Sequence, residues 1–486
     1  MGVQSDAHIK AQSNLLVFAV ILMSGCATLD KVEHPRLSSA LASEIEQDLN
    51  LVNKEDENRL RFSGFLRIGH YSFEKYQYGQ NGPRLILNAS SNNSLNLHSL
   101  CYAHPISAMK GSVAGRTVLA FELLKHRTSD PLRRQLEQRG IYLSEYEGED
   151  AMCFRLVFGE PEHLLDTLAA HLAIFSDLDY ERGHDAFDSA IQRLSEPPSS
   201  LYKILTSHAD QIRYRNIDDG TRYGIPQLTS KVSLIERKSN KELRDVRASY
   251  YPSQLVSIIV TKLSRRTVLE QFRAKIKTNL REDELVTQTS SSTFTRLAER
   301  LATESRRQEK AKPIKQLPGV KGIDGNYLLL SWVLPKQYDE DYLPLRVASE
   351  LLAHRWTLSP RLEIHTHPRR FGGRFDILSH LPGTLTSTHA ITHVRQLIAD
   401  ISTHSEVDQE ISRIKKKLKV KFLSRQSSPL TFVQEVEKFE LIHGDFEHLR
   451  DEELALRRVD RNQVVRVLSE YLLLQAPIVI SIKERR

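Results

Sequence analysis

The chain has 486 residues, 40% hydrophobic and 27% charged, the composition of a soluble globular protein long enough for two large domains. Its 68 Lys and Arg and 61 Asp and Glu leave a formal charge of +7. The cations are spread along the chain and interleaved with the acids, which argues against a nucleic-acid surface.

Near the start, Lys10 precedes an apolar run from Leu15 to Met23, followed by Ser24, Gly25 and Cys26. The run is far shorter than the roughly twenty residues a spanning helix needs, so 1–25 reads as a signal peptide. Met23-Ser24-Gly25-Cys26 resembles the bacterial lipobox, in which Cys26 is lipidated and becomes the mature N-terminus. Ala27 rather than Asp follows Cys26. That pattern implies an outer-membrane lipoprotein facing the periplasm, held to the membrane through lipid on Cys26. Residues 26–58 are charged, with Leu41, Ile45 and Leu49 at helical spacing, and read as a tether carrying one helix. In an oxidising compartment the remaining thiols, Cys101 and Cys153, either form a disulfide or stay as two separate buried thiols.

From Arg59 the patterning becomes that of a folded domain. Ile68 to Leu87 and Leu95 to Ala103 read as strands with glycine turns, and Ile141 to Glu147 with Ala151 to Phe158 as a strand pair. Between them lies Gly111 to Gly140, in which Ala114, Val118, Phe121 and Leu124 share one helical face. Glu162 to Asp179 is helical, and a helix ending at Tyr250 is broken by Pro252 ahead of the apolar strand around Val256 to Val260. Residues 269–320 read as an interdomain connection, with a serine run and the prolines Pro313 and Pro318. Beyond it come a strand from Tyr327 to Leu334, a helix from Leu343 to Trp356 and a strand from Gly373 to Leu381. Helices over about Thr388 to Thr403, Val407 to Ser424 and Leu430 to Ile442 follow, then a helix capped by Asp460, Pro477, and a strand from Ile478 to Ile482. Both halves end on helix, proline, strand. This indicates an internal duplication, with an N-terminal domain over 59–268 and a C-terminal domain over 321–486.

That layout, with Gly111 to Thr128, Tyr223-Gly224-Ile225-Pro226 and Leu243 to Ser264, resembles the pitrilysin/insulinase family of metallopeptidases. The resemblance implies an α+β fold of two homologous domains, each a mostly antiparallel sheet packed against helices. Active members carry an inverted zinc motif, H-x-x-E-H, on the helix corresponding to Gly111 to Thr128. Two His four apart share a helix face and hold one zinc, while the Glu activates the bound water. Here Val118, Phe121 and Glu122 fall on the two His and the Glu, with Glu122 at the second His position. The family's third ligand falls near Ser189 or Ala190, neither of which binds zinc strongly. An Arg that holds substrate corresponds to Arg370 or Arg374, but Phe371 and Phe375 stand where a Tyr would follow.

Two other histidine pairs are candidates for metal. His443 and His448 are five apart and diverge on a helix, whereas His365 and His367 alternate and would share one side of a strand in a stretch that otherwise reads as a solvated loop. Asp166 and His171 do not share a helix face. The expectation is therefore a non-catalytic family member with no cofactor, paired with a zinc-binding relative, its sheet edge offered to peptides. The alternatives are an active zinc metallopeptidase with a relocated site at His365 and His367, and a stand-alone envelope scaffold.

Overall fold

The computed structural model describes residues 37–53, 60–79, 82–103, 130–147, 151–168, 200–214, 255–279, 314–317, 325–334, 340–358, 362–367, 373–381 and 386–482. The signal segment, Cys26, the Gly111 to Thr128 stretch with Val118, Phe121 and Glu122, and Ser189 and Ala190 lie outside them.

The helix expected in the tether is present as α1 (Ser39–Val52), with the Ser38 side chain accepting from the amide of Leu41 and Ile45 and Val52 buried. The first half then forms β1 (Leu60–Ile68), β2 (Tyr71–Tyr78), β3 (Arg84–Ala89), β4 (Asn96–Ala103), α2 (Asp130–Glu137), β5 (Ile141–Glu147), β6 (Ala151–Phe158), α3 (Leu201–Tyr214), β7 (Leu255–Thr261) and α4 (Arg265–Asn279). The second forms β8 (Ile314–Leu317), β9 (Asn326–Val333), α5 (Tyr342–Arg355), β10 (Leu362–His367), β11 (Arg374–Leu381), α6 (Ser387–Thr403), α7 (Val407–Arg425), α8 (Pro429–His443), α9 (His448–Arg458), α10 (Arg461–Leu468) and β12 (Ile478–Ile482).

Strand order makes the duplication explicit. The first sheet has seven strands, β1-β2-β3-β7-β4-β6-β5, and the second five, β10-β11-β9-β12-β8. Read from β5, the first sheet repeats the second strand for strand. The parallel pair β3–β7 corresponds to β8–β12, and the pairs β7–β4, β4–β6 and β6–β5 correspond to β12–β9, β9–β11 and β11–β10, all antiparallel. The first half adds the hairpin β1–β2. The α+β architecture of two mostly antiparallel sheets with helices is therefore the observed fold.

Three expectations are corrected. The connection does not fill 269–320: Val268, Leu269, Phe272 and Ile276 of α4 pack in the first core, and β8 adds a parallel edge to the second sheet. The stretch around His365 is the edge strand β10 rather than a loop, because its backbone pairs with β11 from Leu362 to His367 even though its side chains are largely polar. Finally, the helix expected from Asp460 to Leu474 is α10 followed by a π-turn over Ser469–Leu473, starting with a capping box between Asp460 and Gln463.

Each sheet is buried on both faces, and one cover of each comes from the other half. Helices α5, α6, α7, α9 and α10 share one apolar core with one face of the second sheet. Its other face, with Leu329, Leu378, Ile478, Ile480 and Ile482, receives Leu205 and Ala209 of α3 from the first half. Reciprocally, α8 from the second half lays Phe432, Val433, Val436 and Phe439 on Phe73, Ile86, Val256 and Ile258 of the first sheet. Fully burying side chains of this size is worth about 1.5–3 kcal/mol each, so each half is stabilised by a helix it does not encode.

The hairpin β1–β2 also serves this exchange. Its register slips between Phe62 and Gly64, a bulge that turns Leu60 and Phe62 to one face and Leu66 to the other. Beside the bulge, Glu447 accepts from the amide of Phe65 at 2.9 Å, and a Cβ at Gly64 would lie 2.7 Å from that carboxylate. Only glycine admits the carboxylate so close.

Candidate functional site

Two polar clusters of the described residues lie where each exchanged helix meets its sheet. On the second sheet, Tyr202 of α3 stands over the edge formed by β10 and β11. Register places His365 opposite Asp376 and His367 opposite Arg374. The Tyr202 hydroxyl donates to Asp376 Oδ2 at 2.7 Å, leaving its oxygen to accept from His367 Nε2–H. Arg374 is ion-paired with Asp376 and also reaches the phenol oxygen at 3.4 Å, while Ser331 Oγ donates to Asp376 Oδ1 at 2.6 Å. Burial and the Asp376 carboxylate push the Tyr202 phenol well above its ordinary range, so it stays protonated as a donor.

The His365 ring lies tilted against that of Tyr202, with ring centroids 4.5 Å apart, and His365 is 3.1 Å from Glu363. His365 and His367 do share one side of a strand, with ring centroids 5.6 Å apart. The nitrogen of His367 is engaged by Tyr202, and neither histidine belongs to a group of three His, Cys, Asp or Glu ligand atoms close enough to surround one ion among the described residues. Arg374, a candidate substrate-holding residue, is only 2% exposed and its guanidinium is spent on Asp376.

On the first sheet the counterpart lies under α8. Cys101 and Cys153 face each other across β4 and β6 and are joined by a disulfide. The adjacent cross-strand pair is Ser99 and Arg155. Glu437 of α8 caps both pairs: it accepts from Ser99 Oγ at 2.5 Å and from Arg155 Nε at 2.8 Å, with a second bond from the guanidinium. One turn on, Glu440 takes Lys75 Nζ at 2.9 Å, the Arg84 guanidinium and the amide of Phe446. Helix α8 ends at Gly444, whose φ of 73° turns the chain, so His443 and His448 fall on different helices.

Sequence reasoning missed Tyr202, Asp376, Arg155, Glu437 and Glu440. A signal for three of them was present: Arg155 interrupts an otherwise apolar strand, and Glu437 and Glu440 lie on the same stripe as Val433 and Val436.

A second polar pair lies on the opposite face of the first sheet. His98 Nε2 is 2.7 Å from Ser257 Oγ, beside a narrow cavity lined by Leu100, Leu168, Phe272 and Lys275. Burial pushes the His98 imidazole down to about 3. Its folded value lies below its unfolded one of 6.5, so the unfolded chain binds the extra proton between those limits. The stability tied to neutral His98 is thus complete above about pH 6.5 and is lost as pH falls toward 3. His98 alone should remove about 2 kcal/mol between pH 7 and pH 5. Urea midpoints at the two pH values should therefore diverge less in His98→Gln than in the parent, and equal divergence would contradict a buried neutral imidazole.

No protein-family model and no curated protein matches the chain. Solved structures do. A protease from Helicobacter pylori is 13% identical with a TM-score of 0.64, over 88% of this chain and 100% of its own. A peptidase M16 inactive domain from Pseudomonas fluorescens, also 13% identical with a TM-score of 0.64, is matched over 85% of this chain and 98% of its own. Complex III2 from Candida albicans is matched at a TM-score of 0.59 and 13% identity, over 83% of this chain and 94% of its own. At this identity the likeness shows a shared fold.

Proposed function

We propose that this chain is a non-catalytic subunit built on the pitrilysin/insulinase, or M16, peptidase fold. It is anchored to the outer membrane through lipid on Cys26 and pairs with a zinc-binding relative in envelope peptide processing. The observation that carries the reading is the set of residues at the zinc-motif positions. Val118 and Phe121 have no ligating or basic atom, Glu122 stands where a His is needed, and Ser189 and Ala190 supply no third ligand. Likeness to an inactive M16 domain supports the same reading. So do the two inter-half clusters, whose charged groups hold helices to sheets and leave His367 and Arg374 occupied. In such a pair this chain contributes wall surface and a sheet edge for peptides, and the partner contributes the metal.

Affinity purification of the tagged chain from native envelopes, without crosslinking, tests the pairing. The expected result is co-purification of a chain with an intact H-x-x-E-H and about one zinc per complex. Recovery of this chain alone, with no zinc-bearing relative, would overturn the pairing and favour a stand-alone scaffold.

A further inference from the structure

Helix α7 carries seven Lys and Arg against two acids along its nineteen residues. Its inner row is buried, Ile411, Ile414 and Leu418 in the second core and Phe422 with the α8 residues that cover the first sheet. The outer row is Arg413, Lys416, Val420 and Leu423, all exposed, with Val420 at 61% and Leu423 at 43%.

Helix α9 runs antiparallel beside it. Lys415 Nζ donates to the carbonyls of Arg457 and Val459 at 2.6 and 2.7 Å, and Lys419 pairs with Glu453 at 3.1 Å. That register puts Leu454, 37% exposed, level with Val420, and the exposed Arg457 and Arg458 level with Arg413 and Lys416. The result is a two-helix face with apolar side chains at its middle and cations at one end. Glu350 neutralises part of the charge of Lys417 and Lys421, while Arg413, Lys416 and Arg458 are in no ion pair among the described residues.

We propose that this face docks on an anionic phospholipid bilayer, with its cations at the headgroup phosphates and Val420, Leu423 and Leu454 reaching into the headgroup boundary. The charge is complementary, and cationic residues beside a few exposed apolar side chains are what an interfacial helix presents to an anionic leaflet. Nucleic acid would use the cations and leave the three apolar side chains without a role. The inference rests on the proposed envelope location only to bring the face near a membrane.

The test uses the full chain carrying Cys26→Ser, which removes the lipid and isolates the helical face. It is sedimented with vesicles of phosphatidylcholine alone or mixed with phosphatidylglycerol. Binding is expected to the phosphatidylglycerol vesicles only, weakening as salt is added. Each cation is worth roughly a fivefold change in affinity at such a surface, so R413Q/K416Q/R458Q should weaken binding about a hundredfold. Val420→Ser with Leu423→Ser should weaken it further at unchanged charge. These residues are exposed, so circular dichroism should report the parental fold in both variants. No sedimentation with anionic vesicles at low salt, equal binding to phosphatidylcholine, indifference to the triple substitution, or tighter binding to duplex DNA would each overturn the proposal. Mass spectrometry of the parental chain for acyl groups on Cys26 reports separately on the anchor.

Discussion

Replacing Glu437 by Ala should lower the unfolding free energy by about 3–5 kcal/mol, the cost of leaving a buried cation without its partner. The Arg155 side chain is 7% exposed and that of Glu437 2%, so water reaches neither group to compensate. In the variant Arg155 keeps its desolvation and loses its carboxylate contacts, and Ser99 loses its acceptor. The loss falls where the second half covers the first sheet, so α8 should loosen before either core unfolds. Chemical denaturation gives the size of the effect, and hydrogen exchange along 429–443 its location. Changing both partners, Arg155→Met with Glu437→Leu, should recover most of the loss, because an apolar pair of similar volume avoids the desolvation of two ions. A residual deficit of up to about 1 kcal/mol is expected from the lost stacking of Arg155 over Tyr146, whose ring centre lies 5.2 Å from the guanidinium. A Glu437→Ala chain within about 1 kcal/mol of the parent would mean that apolar contact alone seats α8.

What could be read in the sequence was whatever is local. Helix α7 announces itself through Val407, Ile411, Ile414, Leu418 and Phe422 at helical spacing, and α10 through Asp460 and Gln463 at its start. Strands β6 and β7 are apolar along nearly their whole length because both faces are covered. The duplication was legible in the repeated helix, proline, strand endings, and strand order then gave it its form. The exchange of α3 and α8 was not legible. Amphipathic periodicity says that a face will be buried and is silent on which sheet buries it. Strand β10 escaped for a different reason: Leu-Glu-Ile-His-Thr-His has too few apolar residues to mark a strand, and it is held through backbone bonds to β11. Tyr202 and Asp376 escaped because 174 residues separate two groups that meet at 2.7 Å. The candidate zinc positions were legible only through family resemblance, since nothing in the periodicity of Val118 and Phe121 distinguishes a lost ligand from an ordinary core residue.

The second large effect is on metal and catalysis. A catalytic zinc of this class needs two His on one helix face, a third ligand from another helix, and a Glu to activate water. At the positions that the resemblance to this class assigns, this chain has Val118, Phe121, Glu122 and Ser189 or Ala190, and on that proposed alignment one carboxylate stands where a full ligand set and a base are required. Coordination by a single carboxylate does not hold zinc against a competing chelator, and without Phe121 replaced by a base no bound water would be activated. The most direct measurement is zinc content and peptide cleavage by the isolated chain, purified free of any partner and dialysed against zinc-containing buffer. The expected result is far less than one zinc per chain and no chelator-sensitive cleavage. One tightly held zinc per chain together with cleavage that a chelator abolishes would contradict a non-catalytic subunit.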